Sequence, residues 1–264
     1  MDLKSFTYQS SQIFYRVAGN GKTIILIHGF GEDGEIWNNQ VEFLKERYRV
    51  IIPDLPGSGK SALINDMSIE GMAEVIKELL AIEEIQDGVT FGHSMGGYIT
   101  LALAEKYPET LPAFGLVHSS AYPDSEEKKA TRLKSIEFMK NNGGYKFLKT
   151  SIPGLFSSEW SMKNGQITGA LIERGKAFTT EALIHYYQAM YNRPDRTTVL
   201  KNFKGPILFI SGIYDIAAPF NESLQQCYLP QCSHIHILRN CAHMGMLEDP
   251  QKVNQAIDSF LQDL

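Results

Sequence analysis

Glycine stands at both ends of the pentapeptide Gly92-His93-Ser94-Met95-Gly96, which joins a short apolar run, Val89–Phe91, to a helix-like segment, Tyr98–Tyr107. A chain that passes from strand to helix within so few residues must bend sharply at the serine. Side chains at the two flanking positions would collide with the adjoining backbone, which glycine avoids. The bend lifts the serine hydroxyl clear of the sheet. The start of the following helix supplies N–H groups without helical partners, which favour a developing negative charge. Strand, serine turn and helix in this order are the context that gives a G-x-S-x-G pentapeptide its meaning.

The rest of the chain keeps the alternation that this turn implies. Ile13–Val17 reads as an edge-like strand. Thr23–Ile27 is apolar and β-branched, as strands covered on both faces are. Arg49–Ile52, Val89–Phe91, Phe114–Val117, Ile207–Ile210 and Ile235–Leu238 complete the strands. Helical patterns separate them at Glu35–Glu46, Ile69–Ile82 with Ser68 as its N-cap, Tyr98–Tyr107 and Val253–Leu261. Such alternation implies βαβ units and an α/β fold, a mainly parallel central sheet flanked by helices. Residues 121–194 break the rhythm. They contain no buried strand, are helical in pattern and are rich in large apolar residues, with Pro123-Asp124 and Pro194-Asp195 near their ends. The expected division is a core of residues 1–120 and 195–264 with a helical cap insertion at 121–194. Most aromatic residues of that insertion are expected to pack the cap itself. Trp160 is the candidate for lining a substrate pocket, since pockets are lined mainly by such side chains.

Composition removes several function classes. Hydrophobic residues make up 43% of the 264 and charged residues 21%, enough to bury a core. The net charge of −5 gives no basic footprint for nucleic acid, and no positive cluster marks a pocket for anions. No apolar stretch reaches the roughly 20 residues that cross a bilayer. The first residues lack a basic stretch followed by an apolar one, so no signal peptide is expected and a cytoplasmic location is the default. Cys227, Cys232 and Cys241 fit neither a disulfide framework nor a zinc pattern, and they read as reduced thiols. Neither a metal nor a cofactor is expected; the partner is a small-molecule substrate, and the sequence sets no oligomeric state.

Three further motifs follow strands. His28-Gly29-Phe30-Gly31 comes directly after Thr23–Ile27. Pro53-Asp54-Leu55-Pro56-Gly57-Ser58-Gly59-Lys60-Ser61 comes after Arg49–Ile52. Its Gly59-Lys60-Ser61 suggests a phosphate loop, but such a loop needs glycine where Asp54 stands. Ser211-Gly212-Ile213-Tyr214-Asp215 follows Ile207–Ile210, and His243 lies between the last strand and the last helix. Together with the serine turn, these segments make the chain resemble the α/β-hydrolase superfamily over nearly its whole length.

The resemblance implies a serine hydrolase. Ser94 would be the nucleophile, His243 its base and Asp215 the acid that orients the histidine, in the order serine, acid, histidine. The backbone amides of Phe30 and Met95 would form the oxyanion hole. Asp124 is a reserve acid, because some relatives carry theirs after the preceding strand. His28 is expected to brace its loop, and His93, His118, His185, His234 and His236 to be structural. Two departures from relatives stand out. Phe30 replaces a glycine of the triple-glycine loop of some lipases and esterases, which argues against esters of tertiary alcohols. Ala242 stands where a glycine often precedes the histidine. Serine at the turn also separates the chain from dehalogenases and epoxide hydrolases of this fold, which use aspartate. The expected substrate is a small, largely apolar carboxylic ester cleaved through an acyl-enzyme. The alternatives are a carbon–carbon bond hydrolase of diketone-like substrates and a slow-turnover small-molecule receptor of the same fold. Perhydrolysis is conceivable as a side reaction of the same triad.

Overall fold

A computed structural model describes all residues, 1–264. Eight strands form one sheet: β1 (Asp2–Tyr8), β2 (Ser11–Ala18), β3 (Lys22–Ile27), β4 (Tyr48–Pro53), β5 (Val89–His93), β6 (Phe114–Val117), β7 (Ile207–Gly212) and β8 (Ser233–Leu238). Their spatial order is β1-β2-β4-β3-β5-β6-β7-β8. The β1–β2 and β2–β4 pairings are antiparallel, and every other pairing is parallel. Parallel strands must be covered on both faces. Accordingly β5, β6 and β7 are buried at every residue.

The sequence missed the true edge. Ile13–Val17 belongs to β2, which is flanked by β1 on one side and β4 on the other. β1 escapes a hydrophobicity reading because only Phe6 of its seven residues is buried. It is held instead by a hairpin in which Tyr8 faces Ser11 across a turn containing Gln9, whose φ is +55°.

The helices are α1 (Asn38–Leu44), α2 (Ile69–Ile82), α3 (Met95–Lys106), α4 (Glu126–Asn142), α5 (Gly144–Ser151), α6 (Ser158–Lys163), α7 (Gly165–Arg174), α8 (Thr180–Asn192), α9 (Thr197–Asn202), α10 (Phe220–Gln226), α11 (Gly245–Glu248) and α12 (Pro250–Gln262). The α2 bounds match the sequence reading, and Ser68 Oγ accepts from Gly71 N as its cap. The segment expected as one helix at Glu35–Glu46 is a 3₁₀ turn, Gly34–Trp37, followed by α1. Helix α3 begins at Met95, three residues earlier than its apolar pattern suggested. Gly96 and Gly97 conceal that start, since glycine is a poor helix former. Here they are required: a Cβ on Gly96 would meet the Ile27 carbonyl, and one on Gly97 the Ser119 side chain.

Helices α4 to α8 lie between β6 and β7, and no strand interrupts them. They reach the core through specific bonds. Tyr186 on α8 donates to Pro56 O at 2.5 Å and lies 2.7 Å from Ser58 Oγ. Asp54 fills the turn of that same segment, bonded to Gly34 N and Arg16. No helix of the chain is long and apolar enough to cross a membrane.

Candidate active site

Ser94 sits at φ 51°, ψ −115°, a left-handed conformation that costs a non-glycine residue energy and must be held by its surroundings. Three hydrogen bonds hold it. Ser94 N donates to Val117 O at 3.0 Å, and Ser94 O accepts from Gly97 N at 3.0 Å and from Ser119 Oγ at 2.7 Å. Ser119 gave no sequence signal, because its role depends on β6 lying beside β5. A Cβ on Gly92 would meet the Gly96 carbonyl, which explains the glycine pair of the pentapeptide.

Asp215, three residues beyond β7, and His243, beyond β8, come together. His243 Nδ1 lies 2.9 Å and 3.0 Å from the two Asp215 carboxylate oxygens. Asp215 Oδ1 also accepts from Ala217 N at 2.9 Å and Ala218 N at 2.8 Å. A second histidine, His118, places Nδ1 3.1 Å from Asp215 Oδ2. Burial alone would raise the Asp215 pKa; the neighbouring His243 and the bonds from both histidines outweigh it and hold the carboxyl well below the usual range. Atoms of His118, Asp215 and His243 lie within 4.8 Å of one another, a separation that could hold a metal ion. Asp215 already accepts from four donors, about the capacity of a carboxylate.

His118 is therefore part of the site, beyond the structural role expected for a strand end. Its φ is +50° and its ring is fully buried. Burial pushes its pKa down to about 4 against the pull of Asp215, so it is neutral and donates Nδ1–H. Its Nε2 has no hydrogen-bond partner and packs against Gly245, where a Cβ would collide with it.

His93 braces the site from the opposite side. Nδ1 is 3.0 Å from Glu32 Oε2, and Nε2 is 3.0 Å from the His243 carbonyl. A carbonyl only accepts, so Nε2 carries a proton. Glu32 Oε2 also accepts from Gly29 N at 2.8 Å, which ties the loop after β3 into the same network. Burial disfavours charge on His93, but Glu32 overcomes it and raises the histidine pKa; burial likewise opposes charge on Glu32, and His93 lowers its pKa in return. His28 holds the same loop, accepting from Leu55 N at 2.9 Å through Nε2 and lying 2.8 Å from Gly29 O through Nδ1.

Ser94 and His243 line one cavity of about 180 Å³ with Phe30, Leu155, Tyr187 and Met190. The two side chains share that cavity without a mutual hydrogen bond in this arrangement, and such bonds often tighten only when substrate is present. Phe30 contacts the cap, its ring centre 4.7 Å from that of Tyr187 and nearly edge-on. Its amide makes no internal hydrogen bond, and the Met95 amide opens α3, where helical partners are lacking. The His243 loop is tied to the cap by His243 N donating to Leu155 O at 2.9 Å.

Three expectations are corrected. Trp160 is not at this cavity: it stacks on Phe156 at 4.8 Å and borders a separate groove beside Cys241 and Glu248. Asp124 does not approach His243; it binds Arg132, Arg193 and, at 3.7 Å, Lys128. The cavity does have a positive wall, since Lys128 and Arg132 line it. The cysteines are unpaired, and burial pushes the Cys241 thiol up to about 12, which makes it a poor nucleophile.

The chain has relatives over its full length. A family model described as the alpha/beta hydrolase fold matches residues 22–142. An esterase from Thermogutta terrifontis, solved with malate bound, superposes with a TM-score of 0.92 at 28% identity, covering 100% of this chain and 99% of that one. A hydrolase of (E)-2-((N-methylformamido)methylene)succinate from Acinetobacter baylyi is 24% identical over 254 residues, 94% of this chain and 93% of the relative. Lipase 1 of Psychrobacter immobilis is 27% identical, covering 94% of this chain and 80% of the relative. Sheet order, serine turn and relatives agree: the chain has the α/β-hydrolase fold and is similar over nearly its whole length to hydrolases of that fold.

Proposed function

We propose that the protein hydrolyses a small carboxylic ester through an acyl-enzyme on Ser94. The observation that carries this reading is the Asp215–His243 bond at 2.9 Å, set beside a strained Ser94 in one cavity. In the proposed reaction His243 Nε2 takes the Ser94 proton as Oγ attacks the ester carbonyl. The amides of Phe30 and Met95 hold the oxyanion; losing one such donor typically costs about 10²–10³ in rate. His243 then returns the proton to the leaving alcohol, and water repeats the sequence on the acyl group. Asp215 keeps the Nδ1 proton in place and stabilises the histidine cation. Phe30, Leu155, Tyr187 and Met190 offer an apolar wall for the carbon chain. Likeness to an esterase and a lipase supports an ester as the substrate.

The test is hydrolysis of p-nitrophenyl esters of increasing acyl length, alongside labelling by a fluorophosphonate. Multiple turnover by the wild type, lost in Ser94→Ala together with labelling, is the expected result. Full activity in Ser94→Ala would overturn the mechanism. Labelling without turnover would keep the nucleophile and remove the ester.

A further inference from the structure

The cavity around Ser94 has a second wall opposite in character to the apolar one. Helix α4 sends Lys128, Thr131 and Arg132 to it, residues three and four apart and so on one face. The Arg132 side chain is nine-tenths buried. Its Nε binds Asp124, while its two terminal nitrogens make no hydrogen bond within the protein. Lys128 Nζ donates to Ala217 O at 2.8 Å and stands 3.7 Å from Asp124. Arg193, behind them, donates to Asp124 at 2.8 Å and stacks 4.0 Å from the centre of the Tyr98 ring.

Charge counting gives this wall its sign. Lys128, Arg132 and Arg193 carry three positive charges, and Asp124 carries the one carboxylate bonded or close to all of them. Asp124 stands behind the wall, and the acid that lines the cavity itself, Glu32, is matched by His93. Glu127 and Glu222 belong to a wider cleft of about 700 Å³ that shares Lys128 and Thr131, and they do not line the catalytic cavity. The buried phenol of Tyr98 responds to the same field: burial would raise its pKa, but Arg193, Lys128 and Arg132 bring it below the ordinary value. A mostly buried guanidinium with free donors, held in place by an aspartate, is arranged to take a planar anion.

We infer that the substrate carries a carboxylate in addition to its scissile ester, and that Arg132 and Lys128 bind it while Ser94 attacks the ester. The substrate class is then a half-ester of a short dicarboxylic acid, or a lactone bearing an acid, instead of the largely apolar ester expected from the sequence. Lys128 and Arg132 are hidden there among Glu126, Glu127, Lys129 and Lys134, on a helix that reads as an ordinary charged surface. This inference rests on the Ser94 reading above for the chemistry, but the anion site can be tested without turnover.

Monomethyl glutarate and dimethyl glutarate serve as paired substrates, and glutarate as a non-reactive ligand. The wild type should favour the half-ester in kcat/KM, with a preference that weakens as salt is added. In Arg132→Gln the ratio of half-ester to diester should fall about tenfold or more, the loss expected for a charge-assisted bond. Asp124 retains Arg193 in that variant, and the more exposed Lys128→Gln gives a second test if the cap is disturbed. Calorimetry should show glutarate binding to Ser94→Ala and not to Ser94→Ala carrying Arg132→Gln. A diester preferred by the wild type, with no glutarate binding, would overturn the anion site and leave the serine reading intact. If neither ester turns over, glutarate binding still decides the anion site, while fluorophosphonate labelling decides the nucleophile.

Discussion

His93 and Glu32 form a buried pair, 3.0 Å between Nδ1 and Oε2, that joins the loop after β3 to the carbonyl of His243. The pair needs one proton more than a neutral histidine beside a carboxylate would hold, since Nε2 must donate to His243 O. Glu32→Gln removes the counter-charge and leaves the histidine without a reason to be charged. Breaking one side of a buried pair typically costs about 3–5 kcal/mol. The expected outcome in urea melts is a loss of that order near neutral pH. The sign of its pH dependence follows from the two shifts. His93 is raised, so its contribution is present below the histidine reference and lost as pH rises through the raised value. Glu32 is lowered, so its contribution is present above the carboxylate reference and lost as pH falls through the lowered value. The difference between wild type and Glu32→Gln should therefore be greatest between those limits. A difference that does not vary with pH would show that the pair is not ionised.

His118 gives a prediction of opposite sign. Its folded pKa is pushed down to about 4, so below the unfolded reference the unfolded chain binds a proton that the native state refuses. Stability should fall as pH drops from about 6.5 to about 4, by on the order of 3 kcal/mol from this residue. His118→Asn keeps a side-chain donor for Asp215 and tolerates the left-handed backbone. It should flatten that part of the acid limb in thermal melts, with Asp215 still contributing at lower pH. His118→Val should be destabilised at every pH, because a β-branched residue is strained at this φ. If His118→Asn reproduced the wild-type acid limb, the neutral histidine would not be its source.

On the proposed mechanism the two aspartates separate catalysis from architecture. Asp215→Asn leaves the shape intact but disturbs the His243 tautomer. On the proposed mechanism kcat should fall by about 10³–10⁴ with little change in melting temperature. Asp124→Asn strips the charge that holds Arg132, Arg193 and Lys128. It should destabilise the cap while labelling of Ser94 by fluorophosphonate persists. Equal kinetic losses in both variants, at equal stability, would contradict the assignment of Asp215 as the acid.

The difference between these aspartates also marks what the sequence could reveal. Ser94, Asp215 and His243 each follow a strand; local glycines flag the first two, and chain order flags the histidine. Local patterns are legible because the backbone geometry they need is built from neighbouring residues. His118, Ser119 and Glu32 carry no such signal. Their partners are 97, 25 and 61 residues away, and only strand order brings them together. The parallel core strands were legible because burial on both faces writes an apolar run. β1 was not, since one buried side chain in seven leaves no pattern to read. Arg132 and Trp160 show the same limit in the cap. Amphipathic spacing reveals a helix, but the direction its face takes depends on how the helix docks.

Phe30 tests how far the cap shapes the cavity. Its ring lies edge-on to Tyr187 at 4.7 Å and meets Phe147 and Tyr186 at 6.3 Å each. Edge-to-face pairs contribute about 0.5–1.5 kcal/mol beyond the area they bury. Phe30→Ala should therefore cost roughly 2–4 kcal/mol of stability, below the upper range for a wholly buried phenylalanine. The vacated volume adjoins Ser94, so the preferred acyl length on p-nitrophenyl esters should move to longer chains. The oxyanion amide proposed for residue 30 belongs to its backbone and survives the change, so the variant should keep kcat on its new best ester within about tenfold of the wild type. An unchanged length preference with a large loss of kcat would mean that the ring positions the loop and does not bound the pocket.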